Sequence, residues 1–204
     1  MESSVVDGLV TVGSAVLALV VVASWLATYC APQAAPVGSS RWFTWPAWAQ
    51  VGAGFGVIVL FSGVGYLLWI PLPLNASPAV SALLCLIGLA VFLAGLLLAL
   101  WARWVLGEMY GVSTSSAALL RARHRLFQHG PYAFVRHPMY LGYWRLLSGI
   151  TLVYCTWTPL LLLVMCLASF YRRARREEQV LAETFGVEWQ GYKARTKFLI
   201  PWMY

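Results

Sequence analysis

Charged residues are scarce in this chain, and their scarcity excludes an ordinary soluble fold. Only 10% of the 204 residues are charged and 61% are hydrophobic, whereas about a quarter of the residues in a typical soluble domain are charged. Charge-free stretches cover residues 8–40, 42–102 and 146–171, each long enough for at least one membrane-spanning helix of about 20 residues. The sequence therefore predicts an all-α integral membrane protein.

The chain also lacks the residue patterns that hold disulfides or metals. Its cysteines are Cys30, Cys85, Cys155 and Cys166, which form no C-x-x-C pair and predict no disulfide framework. The histidines have no acidic or cysteine neighbours at ligand spacing, so no metal site is expected. Nucleic acid is not expected as a partner despite the net charge of +7, because the arginines are packed into short stretches between apolar runs, as membrane orientation requires.

Apolar runs predict about five transmembrane helices. Three lie in the N-terminal half, at about residues 5–29, 50–70 and 80–106. The apolar region 138–171 is interrupted near residues 156–159 and predicts a helical hairpin, with Pro159 in the first turn of the second arm. We expect residues 1–110 to form a three-helix membrane region and residues 111–204 to form a cofactor-binding and catalytic region of the same membrane domain.

The distribution of basic residues predicts the orientation of the chain. Arg41, the arginines of residues 121–136 and the basic tail 172–197 fall on one side of the predicted spans. The positive-inside rule places that side in the cytoplasm, with the N-terminus outside and the C-terminus and site inside. The membrane would be the inner membrane of a bacterium or the endoplasmic reticulum of a eukaryote. The first apolar run is expected to be retained as a spanning helix, and the tail is expected to be an interfacial helix broken near Gly186.

Two stretches hold most of the polar chemistry, and each has a structural explanation beside a functional one. Residues 130–142 read GPYAFVRHPMYLG, in which His137 predicts a helix cap and Pro138 the first helical position. Residues 172–178 read RRARREE; they are a basic stop after a span, but Arg173 and Glu177 also share a helix face. Because both stretches are predicted on the cytoplasmic side, they can form one site.

Arg145 is the single charge within the predicted hairpin arm. An arginine that faces lipid at the bilayer centre costs roughly 2.5–3.5 kcal/mol. Two explanations stay open: the side chain snorkels to the cytoplasmic surface, or it faces a cavity and binds an anionic part of a substrate.

The ordered set formed by residues 130–142, an apolar hairpin, Arg173, Glu177-Glu178 and the downstream Phe185-Gly186, Tyr192 and Ile200-Pro201 resembles the isoprenylcysteine carboxyl methyltransferase family. The wider group includes phospholipid methyltransferases, and the compact chain looks more like prokaryotic members. The resemblance covers about residues 124–201. It implies S-adenosylmethionine as cofactor, with S-adenosylhomocysteine as product, held on the cytoplasmic side between the loop and the hairpin.

The resemblance also implies roles for individual residues. The positions that match the family's cofactor contacts are His124, Arg125, Leu126, Phe127, Tyr132, His137, Pro138, Met139, Tyr140 and Glu177. Arg173 falls where the family places a catalytic arginine on the substrate's carboxylate. Arg145 stands where the family usually has an apolar or aromatic residue, and it is retained as a second candidate for substrate binding.

Methyl transfer to a lipophilic or membrane-delivered acceptor is the function that the resemblance implies, and the favoured acceptor is a carboxylate such as that of an isoprenylcysteine-like substrate. A carboxylate such as Glu177 near the membrane would bind the cofactor's ammonium strongly, since charged hydrogen bonds strengthen at low dielectric. The first alternative is a sterol-reductase-like membrane oxidoreductase that uses a nicotinamide cofactor. The second is a small transporter or membrane scaffold, although no inverted repeat is visible in the sequence.

Overall fold

A computed structural model describes residues 2–30, 56, 59–60, 63–107 and 126–199. Its long helices are α1 (Glu2–Cys30), α2 (Pro78–Leu106), α3 (Pro138–Tyr154) and α4 (Trp157–Arg195), and a short 3-10 helix spans Gly130–Ala133. Within the described ranges, β pairing is limited to isolated bridges between Pro71 and Thr156 and between Val135 and Lys197. The all-α class predicted from the sequence is therefore confirmed.

Two helices in the described part of the chain are long and apolar enough to cross a membrane. They cover Ser4–Ser24 in α1 and Pro78–Leu106 in α2, close to the first and third predicted spans. Leu19 and Leu97 are among the large apolar side chains exposed on their outer faces, which suits contact with lipid. About half of the second predicted span lies outside the described residues, and the total of five spans stays a prediction.

The predicted hairpin is formed by α3 and α4, which are joined at Cys155 and Thr156. His137 caps α3 and Pro138 is its first residue, where a missing N–H removes no helical hydrogen bond. Cys155 ends α3 in the left-handed conformation, with φ of 46°, so the chain can reverse direction. Pro159 lies in the first turn of α4, as the sequence predicts.

Glycines bring the backbones of α2 and α3 into direct contact. A Cβ atom placed on Gly88 would lie 2.8 Å from the carbonyl oxygen of Gly149, and one placed on Gly95 would lie 2.7 Å from the carbonyl oxygen of Gly142. Gly88 and Gly95 are seven residues apart on α2, and Gly142 and Gly149 are seven residues apart on α3. The two antiparallel helices therefore meet in register, with the fully buried Phe92 between the contacts. The contact places the start of α3 beside the end of α2.

α1 packs against the same pair of helices and runs parallel to α2. Val10 joins a buried cluster with Phe92, Leu96 and Leu146. Further along, the Nε atom of Arg103 donates to Ser24 Oγ at 2.8 Å, which satisfies a charged group on a membrane helix.

α4 breaks at Gly186, which has φ of 49° and ψ of −113°, and the predicted break is thus confirmed. Residues 157–185 return along α3, and residues 187–195 turn back over the 3-10 helix. There the Tyr192 hydroxyl donates to the backbone oxygen of Tyr132 at 2.8 Å. The two polar stretches singled out in the sequence therefore lie at the same end of the helices.

Substitution of Gly149 tests the helix contact. A Cβ atom at this position would lie 2.5 Å from the backbone nitrogen of Phe92, and backbone atoms cannot move aside as a flexible side chain does. We expect Gly149→Ala to destabilise the protein by about 1–3 kcal/mol, seen as a lower thermal unfolding midpoint in detergent. Gly191→Ala is the matched control, since nothing lies within 4 Å of the added Cβ; an equal loss in both variants would contradict the contact.

Candidate active site

The carboxylate of Glu177, near the middle of α4, contacts three side chains beside the start of α3. Its Oε1 atom accepts a hydrogen bond from the Tyr140 hydroxyl at 2.5 Å and one from Arg173 Nε at 3.3 Å. Its Oε2 atom lies 3.7 Å from His137 Nδ1. We call these four residues the Glu177 group. The side chains of Glu177 and Arg173 are 25% and 29% exposed, so the group is open to a ligand.

The local sequence explains this geometry. Arg173 and Glu177 are four residues apart on α4, so their side chains meet on one face of the helix. Pro138 starts α3 immediately after His137 and places Tyr140 in the first turn. The positive end of the α3 dipole lies there as well, and it favours a neighbouring carboxylate.

Glu178, the next residue, has a different environment. Its side chain is 7% exposed, and Arg136 Nε lies 2.6 Å from its Oε1 atom. His137 Nε2 lies 3.5 Å from the same oxygen. Burial alone raises the pKa of Glu178, but the contacts from His137 and Arg136 outweigh that effect and hold the pKa below its usual range. Glu178 is therefore ionised and paired at neutral pH.

Aromatic rings surround the Glu177 group. Phe170 of α4 stacks on Tyr140 with ring centroids 5.2 Å apart and an interplanar angle of 12°, and Tyr143 lies 5.8 Å from the same Phe170 ring. His137 is also stacked on Tyr140, at 5.7 Å. The charged groups thus lie beside flat apolar surfaces, which suit an aromatic or cationic ligand.

An apolar cluster adjoins these rings through the first turn of α3. Its buried members are Ala102, Tyr132 and Met139, and its partly buried members are Val105, Leu106, Phe127 and Tyr143. Because Met139 and Tyr140 are consecutive, one turn of helix supplies a residue to the apolar cluster and the next residue to the Glu177 group. The last turns of α2 form one side of this cluster.

The structure brings together most of the residues that the sequence predicts for the site. His137 and Tyr140 contact Glu177 directly, and Arg173 pairs with it; the neighbouring Pro138 is buried. Phe127, Tyr132 and Met139 lie in the apolar cluster, and Leu126 is half-buried at the start of the same segment. His124 and Arg125 lie outside the described residues.

Arg145 is not part of this arrangement. Its side chain is exposed, and it lies five residues after Tyr140, about 140° around α3. It therefore lies on a different face of the helix from the Glu177 group.

Four residues that shape the site were given no role from the sequence: Arg136, Glu178, Phe170 and Phe198. Arg136 and Glu178 are each adjacent to a predicted residue, so a test for buried opposite charges between the two motifs would have found them. Phe198 lies 5.2 Å from His137 by ring centroids, although 61 positions separate the two in the sequence. No local pattern signals that contact.

Comparison with known proteins identifies the family. A model of the phospholipid methyltransferase family matches residues 83–188, just over half of the 204 residues. The chain belongs to this family. The family prediction from the sequence is confirmed. The matched region begins within α2, so it includes the helix that contacts α3 through glycines.

A solved structure is also similar to this chain. It is the structure of the eukaryotic intramembrane Ras methyltransferase ICMT, isoprenylcysteine carboxyl methyltransferase, without a monobody. The identity is 25% and the TM-score 0.49, and the match covers 76% of this chain and 53% of that one. This chain thus spans about half the length of the similar structure. No curated protein matches the sequence.

The stability of the Arg136–Glu178 pair should depend on pH. Since the pKa of Glu178 is lowered in the folded state, the pair stabilises the fold above the unfolded-state pKa of about 4.3, and this contribution is lost as the pH falls through the lower folded-state pKa. We expect Glu178→Gln to cost about 3 kcal/mol at neutral pH, measured as a lower thermal unfolding midpoint. The difference in unfolding midpoint between the wild type and Glu178→Gln should disappear in acid.

Glu183→Gln provides the control, because Glu183 is exposed on the same helix and its removal should change the midpoint little at any pH. A gap between wild type and Glu178→Gln that stayed constant from neutral to acid pH would contradict the assignment.

Proposed function

We propose that this protein transfers a methyl group from S-adenosylmethionine to a lipophilic or membrane-delivered acceptor at the Glu177 group. The favoured acceptor is a carboxylate such as that of an isoprenylcysteine-like substrate. The observation that carries the proposal is the partly exposed Glu177 carboxylate, held by Tyr140 and Arg173 at the end of helices that suit a membrane. Family membership supports methyl transfer as the reaction.

The chemistry of the described residues fits the proposed cofactor. Glu177 offers a carboxylate for an ammonium group, and the half-buried Phe170 offers an aromatic surface for a flat ring or a cation. His137 lies between the two acids, with Nδ1 3.7 Å from Glu177 and Nε2 3.5 Å from Glu178. The apolar cluster around Tyr132 and Met139 extends the same surface.

S-adenosylmethionine, when bound, supplies an activated methyl group on a sulfonium centre. In our proposal Glu177 holds the ammonium of its methionine part, and Tyr140 orients Glu177 through the hydroxyl hydrogen bond. The remaining predicted contacts, including His124 and Arg125 outside the described residues, complete the cofactor site.

Arg173 is proposed to bind the acceptor's carboxylate. A carboxylate acceptor is already ionised, so the residues need to align the reactants and exclude water rather than move a proton. Arg173 is 29% exposed, and its guanidinium lies 6.0 Å from the centre of the Tyr140 ring, which restricts its direction. Arg145 is exposed on another face, so in this proposal it can contact only a part of the acceptor that lies against the outside of α3.

The proposal is tested by binding and turnover of two single variants in detergent. Glu177→Ala should weaken S-adenosylhomocysteine binding by about ten-fold or more, because a charged hydrogen-bond partner is lost, as measured by calorimetric titration. Arg173→Ala should chiefly reduce turnover. Glu183→Ala is the control on the same helix. A well-folded wild type with no affinity, or equally small effects of both variants, would refute the proposal.

Two further measurements define the cofactor class and the acceptor atom. NADPH titrated under the same conditions should not bind, and binding of NADPH in place of S-adenosylhomocysteine would favour the oxidoreductase alternative. Radiolabelled methyl groups should pass from S-adenosylmethionine into membrane lipids or prenylated thiol acids. Release of the label by mild base indicates a methyl ester and hence a carboxylate acceptor, whereas a base-stable label would point to nitrogen or sulfur.

A further inference from the structure

The two consecutive acids of α4 contact opposite sides of one imidazole ring. Glu177 lies 3.7 Å from His137 Nδ1, and Glu178 lies 3.5 Å from His137 Nε2. Only Glu177 is open to a ligand, with 25% of its side chain exposed against 7% for Glu178. Glu178 therefore acts on a ligand site only through other residues.

Arg136 links Glu178 to a segment far along the chain, residues 196–198, which we call the C-terminal segment. The Nε atom of Arg136 pairs with Glu178 at 2.6 Å, and the Nη1 atom of Arg136 donates to the backbone oxygens of Thr196 and Lys193. The Arg136 backbone N–H donates to the oxygen of Lys197 at 2.8 Å. One buried guanidinium thus holds a carboxylate and the backbone of the segment together.

The C-terminal segment brings Phe198 to His137. The two rings meet edge to face at 5.2 Å and 70°, while Tyr140 stacks on the same imidazole. Phe198 is half-buried and also contacts Tyr171 at 5.6 Å. The guanidinium groups of Arg175 and Arg136 lie 5.3 and 5.8 Å from the centre of the Phe198 ring. The ring therefore stands beside the Glu177 group, and only its exposed part is available to an apolar or aromatic group.

Stability alone does not account for the buried ion pair. Replacing a buried pair by well-packed apolar residues is often neutral or stabilising. A guanidinium, however, has five donors in a rigid plane. It can therefore fix the relative positions of α4, the C-terminal segment and the chain just before α3, which carries Arg136. An apolar side chain offers no such directional bonds.

We propose that Arg136 and Glu178 are positioning residues that hold the C-terminal segment against His137, and that Phe198 is thereby a wall of the cofactor site. The inference rests on the proposed function, since it concerns the same site. The exposed part of Phe198 offers an aromatic surface to the flat, uncharged ring of an adenosyl ligand, whereas the two arginines over the ring disfavour a cationic group there.

The test measures S-adenosylhomocysteine affinity of the full-length protein in detergent by calorimetric titration. Glu178→Gln and Phe198→Ala should each raise Kd about ten-fold, whereas Phe198→Tyr, which keeps the aromatic wall, should stay near wild type. Glu188→Gln is the control, because Glu188 is exposed and bonded to Gln128. The double variant Glu178→Gln/Phe198→Ala should bind no more weakly than the weaker single variant, since both changes remove one wall.

Limited trypsin digestion without any cofactor tests the positioning role separately. Cleavage after Lys193, Arg195 and Lys197 should be faster in Glu178→Gln than in wild type or Glu188→Gln. Unchanged cleavage, unchanged affinity in Phe198→Ala, or losses that multiply in the double variant would overturn this inference while leaving the proposed function intact. A wild type without affinity would instead overturn the proposed function and the wall together. If Glu178→Gln did not fold, Phe198→Ala and Phe198→Tyr would still decide whether the wall exists.

Discussion

Direct backbone contact between α2 and α3 at Gly88–Gly149 and Gly95–Gly142 is the constraint on which the rest of the structure depends. In lipid no hydrophobic force drives helices together, so close approach over small residues supplies the packing energy. The seven-residue spacing on both helices fixes their register as well as their distance. With the register fixed, the first turn of α3 lies beside the last turns of α2, and the 3-10 helix packs into the corner between them.

The packing in that corner determines which side chain of α3 reaches α4. Tyr132 and Met139 pack on Ala102 of α2, so the next residue, Tyr140, is directed towards α4. There it meets the Glu177 carboxylate at 2.5 Å. The α4 helix carries its charges only in its later turns, where the apolar hairpin ends, so the polar groups collect at one end of the bundle. This arrangement suits the proposed function, in which a polar cofactor and a lipid-like acceptor meet at one boundary.

The two acids of α4 illustrate how adjacent residues take different tasks. A step of one residue turns the side chain by about 100°, which exposes Glu177 and buries Glu178 against Arg136. Glu177 is partly exposed, so water can solvate its carboxylate when a charged ligand dissociates. Glu178 is buried and needs a permanent counter-charge. The lowered pKa of Glu178 follows from that pairing and keeps the acid ionised near neutral pH.

The sequence by itself determined the class and the family. Scarcity of charge requires a membrane fold, Pro138 and Pro159 mark helix starts, Gly186 marks a break, and the ordered motifs from Gly130 to Pro201 are enough for the family assignment. These features are local or depend on chain order, so they can be read without coordinates. Tertiary structure alone decided which side chains meet. Arg136 pairs with Glu178 and Phe198 contacts His137, whereas Arg145 lies on a different face of α3 from the Glu177 group. Such contacts depend on helix register and on the turn at Gly186, which join residues about 40 to 60 positions apart by packing rather than by any periodicity in the sequence.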